Sequence, residues 1–239
     1  MTERDNKPTG SEASSCAAKV QADAGRDIEG EKFRVEQRGV GPWQGPWPTD
    51  PRYDPQYLEH GDRRNVLDEY RYWKLSAIIA DLDRRRSPLQ VAIENLDHDF
   101  NIGSIVRSAN AFNAAAVHIV GRRRWNKRGA MVTNKYLHVD HYEDAATFAA
   151  DMDSAGIPLI GIDIIPGSTP LELAELPEKC VLVFGSEAAG LSASMRQHCR
   201  SIHHITQFGS TRSINVGAAA AIAMWAWSVR NRPPCGSVS

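Results

Sequence analysis

Three short polar segments of this chain carry the residue types that could do chemistry. The first, NIGSIVRSAN from Asn101, offers a side-chain amide and, further along the same predicted helix, the guanidinium of Arg107. Ile105, Ala109 and Phe112 share one helical face, which leaves Arg107 on another side, where a guanidinium suits a phosphate or a ribose. Taken alone, Arg107 would be assigned to a surface ion pair. The second segment, Phe184-Gly185-Ser186-Glu187-Ala188-Ala189-Gly190-Leu191, sets an acid between two glycines, so backbone donors and acceptors can face a small ligand. Its spacing is neither the GxGxxG of dinucleotide sites nor the GK[ST] ending of a phosphate loop. Glu187 alone would be read as a favourable charge at the start of the following helix. The third segment, SINVGAAAAIA, places Ser213 and Asn215 at the mouth of an alanine-rich helix. Ser213 suits an N-cap, whereas Asn215, inside the first turn, calls for more than capping.

The elements that must position these segments follow from hydrophobic pattern. Short apolar runs at Leu89–Glu94, Ala116–Val120, Pro158–Ile162, Cys180–Phe184 and Ser201–Ile205 suit buried parallel strands. Helical segments are expected between and after them at Gly103–Phe112, Asp144–Ala155, Ser192–Cys199 and Ser213–Val229. This alternation predicts an α/β domain, a parallel sheet flanked by helices, with ligands bound beyond the carboxyl ends of the strands. The domain is expected over residues 88–232, followed by a tail at 233–239. Residues 1–40 lack sustained periodicity and are expected to form a disordered tail. Residues 41–87 form an N-terminal extension. Within it, GPWQGPWPTDPRYDP has prolines that exclude a regular helix and aromatics that could cover an apolar patch as an extended arm. From Asp62 to Arg86 the spacing of apolar residues predicts one amphipathic helix or two short ones.

Composition narrows the class. Of 239 residues, 42% are hydrophobic and 24% charged, enough for one full core with an appendage. The mostly apolar run from Ile214 to Trp227 is shorter than the roughly 20 residues of a membrane span, so no membrane segment is expected. The acidic N-terminus lacks the apolar stretch of a signal peptide, and a cytoplasmic location is expected. Cys16, Cys180, Cys199 and Cys235 show no CxxC spacing, which argues against a zinc site or a disulfide framework; no metal is expected. Net charge is −1, so any affinity for nucleic acid must be local. The candidate is the loop of Arg122, Arg123, Arg124, Trp125, Lys127 and Arg128, which follows a predicted strand and could combine phosphate contacts with base stacking.

Taken together and in this order, the three segments resemble the motifs of the SpoU (TrmH-like) RNA 2'-O-ribose methyltransferases, over approximately Leu89 to Trp227. The resemblance implies a knotted SPOUT-type fold, with a C-terminal deep trefoil knot, and a homodimer formed through the knot helices. It implies S-adenosylmethionine as cofactor, held around Phe184, Gly185, Ser186, Gly190, Ile205, Gln207 and Ile214. It also implies catalytic roles for Asn101, Arg107, Glu187, Ser213 and Asn215. The family's Arg has been proposed as the base for the ribose hydroxyl, yet a guanidinium normally stays protonated. A phosphate clamp, with Asn101 and Asn215 fixing Arg107, is the alternative. Two positions depart from the family pattern: Ile205-Thr206-Gln207 stands where Ile-Pro-Met is usual, and Ser213-Ile214-Asn215-Val216 where Ser-Leu-Asn-Val is usual. The lack of a separate globular N-terminal substrate domain tilts the expectation toward a tRNA guanosine, with rRNA open. A non-catalytic RNA-binding or assembly protein is the competing reading, and a Rossmann-like dehydrogenase a third that lacks its glycine fingerprint.

Overall fold

The computed structural model describes residues 39–95, 101–187 and 189–232. Seven strands form one all-parallel sheet: β1 (Ser87–Asn95), β2 (Ala114–Gly121), β3 (Val139–Tyr142), β4 (Leu159–Ile162), β5 (Thr169–Pro170), β6 (Val181–Phe184) and β7 (Ser201–His204). Their order is β3-β2-β1-β6-β4-β7-β5. Six helices accompany them: α1 (Pro55–His60), α2 (Leu75–Asp83), α3 (Ile102–Ala111), α4 (Ala145–Ser154), α5 (Ala193–His198) and α6 (Val216–Asn231). The fold is the expected α/β sheet flanked by helices. Side chains alternate across each strand, so one strand feeds two cores. Leu89, Val91, Ile93, Leu182 and Phe184 pack under α3 and α6, while Ala92, Val181 and Val183 face Phe148, Met152 and Met195 of α4 and α5. Cys180 is fully buried, and burial pushes its thiol up to about 12, so it serves as a core residue.

Three expectations need correction. The strands β3 and β5 were not anticipated, because Val139–Tyr142 is only half-buried at one edge and Thr169–Pro170 is too short to carry a pattern. Of the one helix or two short ones expected over Asp62–Arg86, the chain forms one short α-helix, α2, preceded by no more than a 3-10 turn at Asp68–Tyr70. Here a buried acid overrides the apolar spacing. Asp62 is fully buried and accepts hydrogen bonds from the backbone N and guanidinium of Arg64 and from Tyr72 N, which ties the chain into a loop. The proline-rich stretch is no simple extended arm, since it ends in α1, whose Pro55 sits at the first turn, where no N–H is needed, with Asp54 capping Gln56 N. Trp43 packs edge-on against Tyr72, ring centres 5.4 Å apart, and beside Tyr53, whereas Trp47 remains exposed.

The extension docks through a cluster of Tyr70, Trp73 and Ile78 with Tyr136 of the sheet domain. Val40 pairs with Asp62; the expectations for residues 1–38 and for the tail 233–239 lie outside the described residues. Among the described residues no helix is long and apolar enough to cross a membrane.

Candidate active site

The polar segments converge at the carboxyl ends of the central strands. Leaving β6, the chain turns at Gly185 and Ser186, and Ser186 and Gly190 exchange backbone hydrogen bonds of 3.0 and 2.9 Å, which closes a tight loop carrying Glu187. Both glycines are obligatory. A Cβ on Gly185 would lie 2.0 Å from the carbonyl carbon of Gly190, and Gly190, at φ +67°, faces Asp163 so closely that a Cβ would lie 2.4 Å from its Oδ2.

Asn215 links this loop to α6. It is the N-cap of that helix, its Oδ1 accepting from Gly217 N at 2.9 Å and Ala218 N at 3.2 Å. The helix therefore begins at Val216, and Ser213, the expected cap, lies outside it, exposed. Capping fixes the amide's orientation, so its Nδ2 points away from the helix. That Nδ2 donates to Asn101 Oδ1 at 2.9 Å and to Glu187 Oε1 at 3.1 Å, while Asn101 Nδ2 donates to Glu187 Oε2 at 2.6 Å. The result is a closed triangle of two amides and one carboxylate drawn from all three segments. Gly217 lets α6 approach α3 closely enough to make it, since a Cβ there would stand 3.3 Å from Ser104 Cβ.

Beside the triangle opens a cavity of about 680 Å³ at the ends of β4, β6 and β7. Gly185, Ser186, Gly190, Ile205, Gln207, Ile214 and Ser213 line it, as do Glu187 and Asn215. Phe184 does not; its side chain is fully buried in the main core behind Gly185. Asp163, also lining, was missed, although an acid directly after the apolar run 158–162 was a readable signal. It accepts from Leu191 N at 2.9 Å and Ile164 N at 2.7 Å, bracing the glycine loop. Glu94 was missed too. Nearly fully buried in β1, it accepts from Ser192 N at 2.8 Å and Ser192 Oγ at 2.7 Å and anchors the loop's far end.

Arg107 stands apart from this set. It is exposed on α3 and has no hydrogen bond or ion pair with the described residues, so Asn101 and Asn215 fix Glu187 rather than Arg107. The basic loop lies beyond β2. Asn95 Nδ2, at the end of β1, donates to the carbonyls of Arg122 and Arg124 at 2.5 and 3.0 Å, holding the loop while Arg122, Arg123, Arg124, Lys127 and Arg128 stay exposed. Trp125 is half-buried against the core, with Lys127 Nζ 5.9 Å from the centre of its ring. No group of three or more His, Cys, Asp or Glu among the described residues is placed to hold a metal ion.

The profile described as the SpoU rRNA Methylase family matches residues 88–225. The chain belongs to the SpoU family. One curated relative, an uncharacterized tRNA/rRNA methyltransferase of Mycolicibacterium smegmatis, is 33% identical over 57% of this chain and 45% of its own length. The chain spans about half the length of the curated relatives it matches. Among solved structures, the A. aeolicus TrmH/SpoU tRNA modifying enzyme superposes with a TM-score of 0.59 at 20% identity, covering 66% of this chain and 82% of that one. The SpoU methyltransferase AviRb from Streptomyces viridochromogenes, solved in complex with the cofactor AdoMet, gives a TM-score of 0.54 at 24% identity, covering 63% of each chain. At these identities the likeness shows the SpoU fold.

Proposed function

We propose that this chain is an RNA methyltransferase that uses S-adenosylmethionine to methylate a ribose 2'-hydroxyl in tRNA or rRNA. The observation that carries the reading is the Asn101–Glu187–Asn215 triangle at the rim of the cavity. Side chains this far apart in sequence meet through three mutual hydrogen bonds that fix the Glu187 carboxylate, which is the preorganisation expected of a reacting centre.

The residues present fit the cofactor. The cavity volume falls within the range of roughly 300–1,000 Å³ usual for small-molecule sites. Gly185 and Gly190 leave backbone where any Cβ would intrude, and Gln207 Oε1 is buried at the cavity wall without a hydrogen-bond partner among the described residues. Gly185, Ser186, Gly190, Ile205, Gln207 and Ile214 would hold the nucleoside, and Phe184 would back them from the core. S-adenosylmethionine supplies an electrophilic methyl group. The protein's part is alignment and proton management. Each Glu187 oxygen accepts one amide hydrogen bond and keeps a lone pair for the ribose hydroxyl, which Glu187 orients by accepting its proton in a hydrogen bond. Arg107, charged and uncommitted, grips the phosphate beside the target ribose. The loop 122–128 supplies further phosphate contacts. The carboxyl-terminal segment, with the glycine loop and α6, threads as the family's trefoil knot.

Ile222, Trp225 and Val229 form an exposed apolar stripe along α6, with Trp225 and Val229 each 60% exposed, and we assign it to a homodimer. A cytoplasmic location accords with an RNA substrate. Incubation with methyl-labelled S-adenosylmethionine and separate pools of total tRNA and rRNA tests the function, with Arg107→Ala and Glu187→Gln in parallel. Label resistant to alkaline cleavage at one ribose, and lost in both variants, is the expected result. Label confined to a base, or none in either pool despite cofactor binding, overturns it.

A further inference from the structure

A second cavity, of about 710 Å³, lies between the N-terminal extension and the turn at Met131–Val132. We propose that it is a nucleobase subsite, holding one unstacked base of the substrate RNA near the methylated ribose; the proposal rests on the RNA reading above. Its walls are apolar and aromatic. Tyr57 comes from α1, Tyr136 from the sheet domain, and Met131 and Val132 stay 47% and 55% exposed. The backbone works to keep those two side chains there: Met131 has φ +48° and Val132 φ +71°, a left-handed conformation that a β-branched residue rarely adopts. Strain of this kind persists where the surrounding structure imposes it, and it concentrates at ligand sites.

Charge selects the occupant. Arg64 lies over the Tyr57 ring, 4.0 Å from guanidinium carbon to ring centre, and Asp62 Oδ2 anchors its Nη2 at 2.7 Å. Its Nη1 is buried near Tyr136 with no hydrogen bond of full geometry among the described residues. Arg63 and His60 are exposed at the rim, and Arg63 has no ion pair among the described residues. Among the described residues no carboxylate lines the cavity; Asp62 and Glu59 stand behind it, beside Arg64 and His60. Aromatic rings and a guanidinium plane inside, with the Arg63 guanidinium at the edge, match a flat heterocycle attached to a phosphate. An apolar peptide would use the walls and leave Arg63 unmatched.

Position joins this cavity to the reacting centre. A Cβ on Gly103, in the first turn of α3 after Asn101, would lie 2.7 Å from Ala130 N and 2.8 Å from Gly129 Cα. Met131 follows directly. With consecutive Cα atoms about 3.8 Å apart, the cavity wall stands roughly 15 Å or less from Asn101, a span of a few nucleotides of an unstacked strand. The basic loop 122–128 runs into the same turn, so phosphate contacts and base contact form one track.

Val132→Gly gives a discriminating test, because glycine adopts this backbone freely while removing the wall. In the full-length protein, affinities for a fluorescein-labelled single-stranded RNA, total tRNA and total rRNA would be measured alongside S-adenosylhomocysteine affinity, thermal midpoint and sedimentation. Val132→Gly and Arg63→Gln should each weaken RNA binding about 5- to 100-fold, the range for losing one stacked base or its phosphate anchor, with cofactor affinity unchanged. The Val132→Gly midpoint should be no lower than that of the unaltered protein. Unchanged RNA affinity in both variants, while the unaltered protein binds RNA, overturns the subsite and spares the RNA reading. Failure of the unaltered protein to bind any of the three RNAs overturns the RNA reading itself. A shift in oligomeric state with unchanged RNA affinity assigns the cavity to a second copy of the chain and also overturns the proposal.

Discussion

Replacing Asn215 by serine separates two roles that one side chain performs. Its Oδ1 caps α6 through Gly217 N and Ala218 N, and its Nδ2 completes the triangle with Asn101 and Glu187. Serine caps a helix about as well as asparagine, so Asn215→Ser keeps the cap, but its single hydroxyl cannot also reach the triangle. Asn215→Ala loses both. Loss of an N-cap costs about 1 kcal/mol, which in a chain of this size lowers the thermal midpoint by about 2–4 °C. The triangle adds little to this figure, because Glu187 and Asn215 are exposed and water replaces its hydrogen bonds. The alanine variant should therefore melt a few degrees low, while the serine variant should melt close to the unaltered protein. Activity should divide differently. Releasing Glu187 from a fixed orientation misplaces the reacting groups, and both variants should lose about 100-fold in kcat. Thermal unfolding followed by circular dichroism, paired with a labelled-methyl transfer assay on the accepted RNA pool, reads both quantities. A serine variant with full activity refutes the triangle as the reacting centre, and one that melts as low as the alanine variant refutes the capping assignment.

Gly185→Ala drives a methyl group into the Gly190–Leu191 backbone, so calorimetry with S-adenosylhomocysteine should show binding abolished and the chain destabilised by about 3 kcal/mol. Glu94→Ala leaves the half-buried Ser192 N–H and hydroxyl without their acceptor and should cost about 2 kcal/mol in denaturant titration, with weaker cofactor binding as the loop loosens. His118 is held below its ordinary value of 6.5 by burial, with Asp140 opposing. The unfolded chain binds its proton first as pH falls, so stability should decline below about pH 6.5, more shallowly in His118→Gln; a decline unchanged by that substitution refutes the assignment to His118. Trp225→Asp should convert a dimer to a monomer in sedimentation without lowering the thermal midpoint of the isolated chain, and a monomeric unaltered protein at micromolar concentration refutes the α6 interface.

Much of the fold was legible because buried parallel strands are written as short apolar runs. Leu89–Glu94 and Cys180–Phe184 became β1 and β6 with boundaries shifted by a residue or two. Edge strands carry no such signature: Val139–Tyr142 is half-polar because one side faces solvent. The extension misled for a different reason. Its apolar spacing is helical, but a buried Asp62 gathers Arg64 and Tyr72 into a loop, and long-range satisfaction of one carboxylate outweighs local periodicity.

By itself the sequence determined the α/β class and marked out the three polar segments, because these depend on local pattern and residue chemistry. It did not determine which polar groups meet. Glu187 could have capped a helix and Ser213 could have capped α6; each is a sound local choice. Tertiary structure decided otherwise, since Asn215 takes the cap, and the close approach of α6 to α3 at Gly217 brings its amide onto Asn101 and Glu187. It also set Arg107 apart on the face of α3, unpaired among the described residues, and put Asp163 behind the glycine loop. Pairing between residues more than eighty positions apart depends on helix packing distance and strand order, and neither is written in any local window of the chain.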